Sequence, residues 1–334
     1  MTRRPMTACF FTLALTALGF APAAAQPAAP PAPTDTVTTA IPGVVAAGTK
    51  VEVIKAGFTG TEGPVGLPDG SLIFTETQAN RITRIDKDTN ATSVFLENTN
   101  GSNGLGFDAK GRLISVQTTP GQARIGVIHP KDAVTTISDN FEGKPYGRPN
   151  DLVVAKNGGV YFSEPGPNAT PGQPPPVPAL TPAVYYVSPA GKVSRVAEGI
   201  ERPNGIMLSA DEKTLYVNNT AGEYLLAFDV KADGTLGPRR NFAKYGRITT
   251  TPAGAFNSGA DGLAIDAQNR VYAATAAGIE VFSPKGEMLG AIPVSLAPQN
   301  IAFAGADKKT LYIVGRGAAF KVRVLTEGYK GRAK

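Results

Sequence analysis

The sequence predicts an all-β protein, a six-bladed β-propeller with an N-terminal strand closing the last blade, and three observations predict it. The first is punctuation: 38 Gly and 28 Pro among 334 residues make about a fifth of the chain, against roughly 12% in average usage, which excludes a helical bundle. The second is one phrase that recurs six times: a polar residue, a small one, an apolar run, a polar turn and a β-rich strand. The third is a β-rich segment at each end, residues 51–54 before the first phrase and 320–324 after the last, placed to join the two ends of a ring.

Taken in order, the chain begins with an export signal. Arg3 and Arg4 precede an apolar run over residues 9–20, and the small residues 21–25 lead to Gln26, which predicts cleavage after Ala25. The run is about a dozen residues, short of the roughly 20 that span a bilayer, so no membrane association is expected after cleavage. A periplasmic or secreted location follows. Removing residues 1–25 also removes Cys9, the only Cys, and two Arg, taking the formal charge from +6 to +4. Disulfides, Cys-ligated metals and thiol catalysis are thereby excluded from the mature chain. Residues 26–48, with Pro27, Pro30, Pro31 and Pro33 and no apolar periodicity, read as a flexible leader. The propeller is expected over residues 49–328.

The six phrases begin at Glu62, Asn103, Asn150, Asn204, Asp261 and Asn300, at intervals of 41, 47, 54, 57 and 39 residues. In the sixth, Gln299 is an equal candidate for the leading place. Each interval accommodates four short strands. The apolar run and the strand after it form one hairpin through a turn rich in Asp, Gly, Lys and Asn. A second β-rich run follows in five of the units, at residues 82–86, 125–128, 184–187, 225–229 and 279–282, and opens the second hairpin. Ring closure would hide the edge strands without disulfides. Two sandwiches in tandem would leave the recurrence of one phrase unexplained.

In a propeller the first strand of each blade lines the central channel, so the leading residues share one height around one axis. Glu62, Asn103, Asn150, Asn204 and Asp261 are therefore expected at one mouth. Singly, Asn or Asp before Gly is ordinary turn chemistry. Together, two carboxylates and several amide oxygens in a narrow channel repel one another unless a cation sits among them. Oxygen donors carrying two negative charges suit a hard divalent cation: Ca2+ first, then Mg2+ or Mn2+, with Zn2+ the poorest match because it prefers His or Cys. The single His, His129, falls in an outer strand, so a Ser-His-Asp triad is excluded. The basic excess is scattered, with no Lys/Arg run interleaved with aromatics, and nucleic-acid binding is not expected.

Several phrases then carry a family resemblance: Thr61-Glu62-Gly63-Pro64, Arg148-Pro149-Asn150-Asp151, Tyr161-Phe162-Ser163-Glu164-Pro165, Arg202-Pro203-Asn204-Gly205 and Ala260-Asp261-Gly262-Leu263. In this order, over about residues 50–325, the chain resembles the gluconolactonase family that includes the senescence marker protein regucalcin. The resemblance implies a six-bladed propeller and a divalent metal held by Glu62, Asn204 and Asp261, with Asn150 in the metal or substrate shell. It implies that Arg148 contacts substrate, and that Asn103 belongs to the ring or reaches substrate through water. It further implies hydrolysis of a small-molecule sugar lactone or related ester, with Asp261 as ligand and general base; Asp151 is a candidate for a second base or for a group supporting the ligands, and equally for a turn cap. We expect a monomer.

Two phrases depart from the family, at residues 115–124 and 164–167, and there the substrate contacts are expected to differ. The Pro-rich stretch 165–182 reads as an inter-strand loop, either a stiff lid over the mouth or plain surface, and residues 254–259 as a mobile approach to Asp261. The competing reading is a non-catalytic propeller that binds a ligand or protein partner around a structural Ca2+. A synthase of the strictosidine type fits less well, because its resemblance would not include the Glu62-Gly63-Pro64 phrase.

Overall fold

A computed structural model describes residues 31–167, 180–251 and 254–332 together with Met1 and Lys334. The packed unit runs Pro33–Lys334. The expected export signal and most of the Pro-rich 165–182 stretch lie outside the described residues.

Among the described residues, five antiparallel four-stranded sheets and one that a short edge strand extends to five make the blades. Blade 1 is Thr61–Gly66, Leu72–Glu76, Arg81–Ile85 and Thr92–Glu97, and blade 2 is Ser102–Phe107, Leu113–Gln117, Arg124–His129 and Thr135–Ser138. Blade 3 is Leu152–Val154, Val160–Glu164, Ala183–Val187 and Val193–Glu198; blade 4 is Pro203–Leu208, Thr214–Asn219, Tyr224–Asp229 and Arg240–Lys244. Blade 5 is Leu263–Ile265, Val271–Thr275, Gly278–Phe282 and Met288–Ile292. Blade 6 takes Asn300–Ala304, Thr310–Gly315 and Ala318–Arg323 from the end of the chain and Lys50–Ala56 from its beginning, with Val51 opposite Val322 and Ala56 opposite Ala318. The N-terminal strand therefore closes the ring as the repeat predicts, and it covers an edge that would otherwise be open.

The burial pattern explains why the phrases look as they do. Inner strands such as Thr61–Gly66 and Pro203–Leu208 are buried at every position, because both faces pack on neighbouring blades. Outer strands such as Thr92–Glu97 and Val193–Glu198 are partly exposed and carry charge. The core lies between blades, where Tyr161, Tyr186, Leu215 and Phe282 belong to one cluster and Ile41, Tyr272, Phe303 and Phe320 to another.

Residues 33–48 correct the expectation of a flexible leader. Thr36 and Val37 pair with Val51 and Lys50, and Ile41, Val44 and Val45 are buried in the core beside blade 5. The Pro-rich composition hid three apolar residues whose partners lie more than 200 positions away. A buried ion pair anchors this segment: Arg270 and Asp266 are 2.6 Å apart with side chains 7% and 0% exposed, and Arg270 also donates to the Gly43 carbonyl at 2.8 Å. Tyr272 donates its hydroxyl to the same Asp266 carboxylate at 3.1 Å. Arg270→Met is expected to destabilise the protein by about 3–5 kcal/mol, because it leaves the Asp266 charge buried without its partner. Urea denaturation checks this, and a change below about 1 kcal/mol would remove the anchoring role.

Candidate active site

The leading residue of each phrase sits where the inner strand enters its sheet, and a backbone irregularity aims it. In blades 1, 2 and 4 the inner strand carries one extra residue, so pairing jumps from Glu62 to Val65, from Ser102 to Leu105 and from Pro203 to Ile206 while the partner strand advances two. Such a bulge turns one side chain out of the ladder. In blades 3 and 5 the ladder starts only after Asn150 and Asp261, at Leu152 and Leu263.

The small residue after the leading one has a packing reason. The Gly205 N–H donates to the Asp261 carbonyl at 3.0 Å, and a Cβ on Gly205 would lie 2.0 Å from that oxygen. Gly104 bonds the Asn150 carbonyl at 3.0 Å in the same way, and a Cβ there would meet the Asp151 carboxylate at 2.5 Å. Neighbouring blades thus touch backbone to backbone around the axis. Gly205→Ala is expected to cost about 3 kcal/mol, an overpacking penalty at the upper end of the usual range, and to lower activity by displacing Asp261. Thermal melts together with turnover test both parts; a stable, fully active variant would contradict them.

The same bond settles the sixth blade. The Gly262 N–H donates to the Gln299 carbonyl at 2.7 Å, so Gln299 holds the leading place and Asn300 the one after it. Asn300 then matches Asp151 of blade 3. Each accepts, through Oδ1, the N–H of the next residue at 2.9 Å.

Around the ring, Glu62, Asn103, Asn150 and Asn204 are buried, and Asp261 is half-buried. Glu62 accepts from Gln299 Nε2 at 3.1 Å and Asn300 Nδ2 at 3.3 Å. Asn204 donates through Nδ2 to Thr220, whose hydroxyl donates to the Ala260 carbonyl. The oxygens aimed away from these bonds have no partners among the described residues: Oδ1 of Asn103, Asn150, Asn204 and Asp261 is in each case shielded from solvent and unpaired. Buried acceptors left like this are rare, because each forfeits its hydration. Arg148 Nη1 is likewise buried and unpaired, while the Arg148 backbone N–H is held by both oxygens of Glu164.

The carboxyls of Glu62, Asp151 and Asp261 act on one another. Burial, with the Asp151 carboxylate adding to it, pushes Glu62 up to about 7, against the pull of its Asn300 bond and of Arg148 and Lys334. Burial raises Asp261 well above the ordinary carboxylate range, and the charges of Glu62 and Asp151 raise it further while Arg148 and Arg316 oppose them. Asp151 is fully buried with both oxygens engaged, Oδ1 by the Leu152 N–H and Oδ2 by the Lys334 ammonium. Among the described residues no group of three or more His, Cys, Asp or Glu side chains is close enough to hold one ion. The oxygens of this ring come instead from two carboxylates and several amides.

The sequence reading missed Lys334, which follows the last repeat and carries no motif. It also left unassigned Asn218, whose amide donates to the Asp261 carbonyl at 2.6 Å, since an inner residue of a second strand looks like any other. His129 lies away from the ring, its imidazole 5.2 Å from the Phe95 ring. Residues 254–259, expected as a mobile approach, include half of a short hairpin that pairs Thr249–Thr250 with Phe256–Asn257.

Residues 60–316 match the family described as SMP-30/Gluconolactonase/LRE-like region. The chain belongs to this family. Within the SMP-30/gluconolactonase family it is 29% identical over 306 residues to a gluconolactonase of Zymomonas mobilis, covering 84% of this chain and 83% of that one. The solved gluconolactonase of Xanthomonas campestris superposes with a TM-score of 0.73 at 27% identity, over 90% of this chain and 99% of that one. The calcium-binding regucalcin of Agrobacterium tumefaciens shares the fold, with a TM-score of 0.66 at 17% identity over 84% and 95% of the two chains.

Proposed function

We propose that this chain is a divalent-cation-dependent lactonase that hydrolyses small sugar lactones, a carboxylic ester hydrolase like its gluconolactonase relatives. The observation that carries the reading is the set of four shielded, unpaired oxygens on Asn103, Asn150, Asn204 and Asp261, gathered with Glu62 in one channel. Glu62, Asn150, Asn204 and Asp261 would hold the cation, with Asn103 completing the ring or ordering a water. All-oxygen donors with two charges suit Ca2+ before Mg2+ or Mn2+. When bound, such a cation polarises the lactone carbonyl and stabilises the negative charge that develops on it.

The residues of the chain do the rest. Asp261 Oδ1 is shielded and unpaired, so its carboxylate takes the proton of the attacking water. Water oxygen bonds to the carbonyl carbon, the ring C–O bond breaks, and the proton passes to the departing oxygen, leaving an open-chain hydroxy acid that releases its remaining carboxyl proton to solvent. Asp151 has no oxygen to spare for this, which favours Asp261 as the base. Arg148, its backbone pinned by Glu164 and its Nη1 unpaired, orients the substrate. The test is pH-stat titration over a panel of aldonolactones, with and without chelator. Chelator-sensitive turnover supports the reading, and no turnover of any lactone or ester by cation-loaded protein defeats it in favour of a binding propeller.

A further inference from the structure

Beyond blade 6 the chain crosses the end of the propeller opposite the leading residues. Gly328 donates to the Lys308 carbonyl, Tyr329 to the Ile265 carbonyl, and Arg332 to the Leu208 carbonyl and the Glu212 carboxylate, so the tail spans the turns of blades 6, 5 and 4. Lys334 then enters the channel. Its side chain is 5% exposed, beside a cavity of about 20 Å3 lined mostly by apolar residues such as Val65, Leu105, Leu152 and Met207, with Arg332 also in the wall and paired to Glu212. In these surroundings the ammonium meets the fully buried Asp151 carboxylate.

The fold does not ask for either charge. Asp151 occupies the place that Gly63, Gly104, Gly205 and Gly262 fill in four other blades and Asn300 fills in blade 6. Asn300 makes the same bond to the next backbone N–H without a charge. An ion pair buried among apolar walls is poor stabilisation compared with apolar residues of similar size. Its position points elsewhere: Asp151 is one of three carboxylates, with Glu62 and Asp261, that act on one another across the channel.

We propose that Lys334 is a positioning residue for the ring, neutralising Asp151 from the far end of the channel so that an arriving divalent cation meets the two charges of Glu62 and Asp261 and not three. The inference rests on the cation reading above. It makes a prediction of sign. A purely structural strut, once removed, loosens the ring and weakens cation binding. A charge-setting lysine, once removed, strengthens it.

The experiment is calorimetric titration of chelator-stripped protein with CaCl2. Lys334→Met is expected to tighten Ca2+ binding about tenfold, Asp151→Asn to weaken it by a similar factor, and the double variant, isoelectric with the parent, to return within about twofold. Lys334→Arg keeps the charge and stays near the parent. If Lys334→Met does not fold, Asp151→Asn and the double variant, which bury no uncompensated carboxylate, carry the same test as weakening followed by restoration. Weaker or unchanged binding in Lys334→Met, or a double variant that does not recover, overturns the proposal while leaving the cation reading intact. A parent protein that binds none of Ca2+, Mg2+ and Mn2+ overturns both.

Discussion

Asp261→Asn is expected to lower lactone turnover by about a thousandfold, the range over which a positioned general base contributes, while leaving the fold in place. The substitution keeps the shape of the side chain and the backbone bonds of Asp261, which donates its N–H to the Ala274 carbonyl and accepts from Gly205 and Asn218. It removes the proton acceptor and one of the two ring charges. The assay is turnover of the best lactone at saturating divalent cation, so that weakened cation binding does not masquerade as lost chemistry. Retention of more than about a tenth of the parent kcat would move the base elsewhere, and Asp151 would then have to be freed from Lys334 to serve. Circular dichroism and a melt of the variant separate lost catalysis from lost structure.

Chelation is expected to abolish turnover and to reverse the pH dependence of stability in the acid range. The sign follows from Glu62, whose carboxyl is pushed from an ordinary 4.5 up to about 7 by burial and by Asp151. A folded state that holds a proton the unfolded state has released is penalised as pH rises, so the chelated protein loses stability between about pH 4.5 and 7, by up to about 3 kcal/mol. Divalent cation takes the place of that proton. With cation in excess, stability over the same window should instead rise with pH, because binding requires the carboxylates to be ionised. Melting temperatures at half-unit pH steps, with chelator and with CaCl2, check both slopes. Parallel curves would mean that no cation competes with the proton on Glu62.

Much of the fold was legible because a propeller is periodic. The phrases at Glu62, Asn103, Asn150, Asn204 and Asp261 marked the inner strands, and the segments 51–54 and 320–324 marked the closure that the pairing of Val51 with Val322 realises. Periodicity fails where a segment belongs to no repeat. Residues 33–48 read as leader because Ile41, Val44 and Val45 are isolated among Pro, Thr, Gly and Ala and belong to no repeat, and their burial depends on Arg270 and blade 5. The sixth phrase was ambiguous for a related reason: Gln299 and Asn300 are both polar, and only the bond from Gly262 tells them apart.

For the site, local sequence determined which residues stand at the head of the first five blades and therefore which oxygens can gather on the axis. It determined the absence of a His triad, since His129 is the single His. Tertiary structure decided what each of those residues is free to do. Asp151 and Asp261 both read as acids at the start of an inner strand, but only the folded chain places the Leu152 N–H and the Lys334 ammonium on one and leaves an oxygen of the other unpaired. The reason is range: strand pattern is written within a few residues, whereas the charge on a buried carboxylate is set by whatever the fold carries to it, here from 183 positions away.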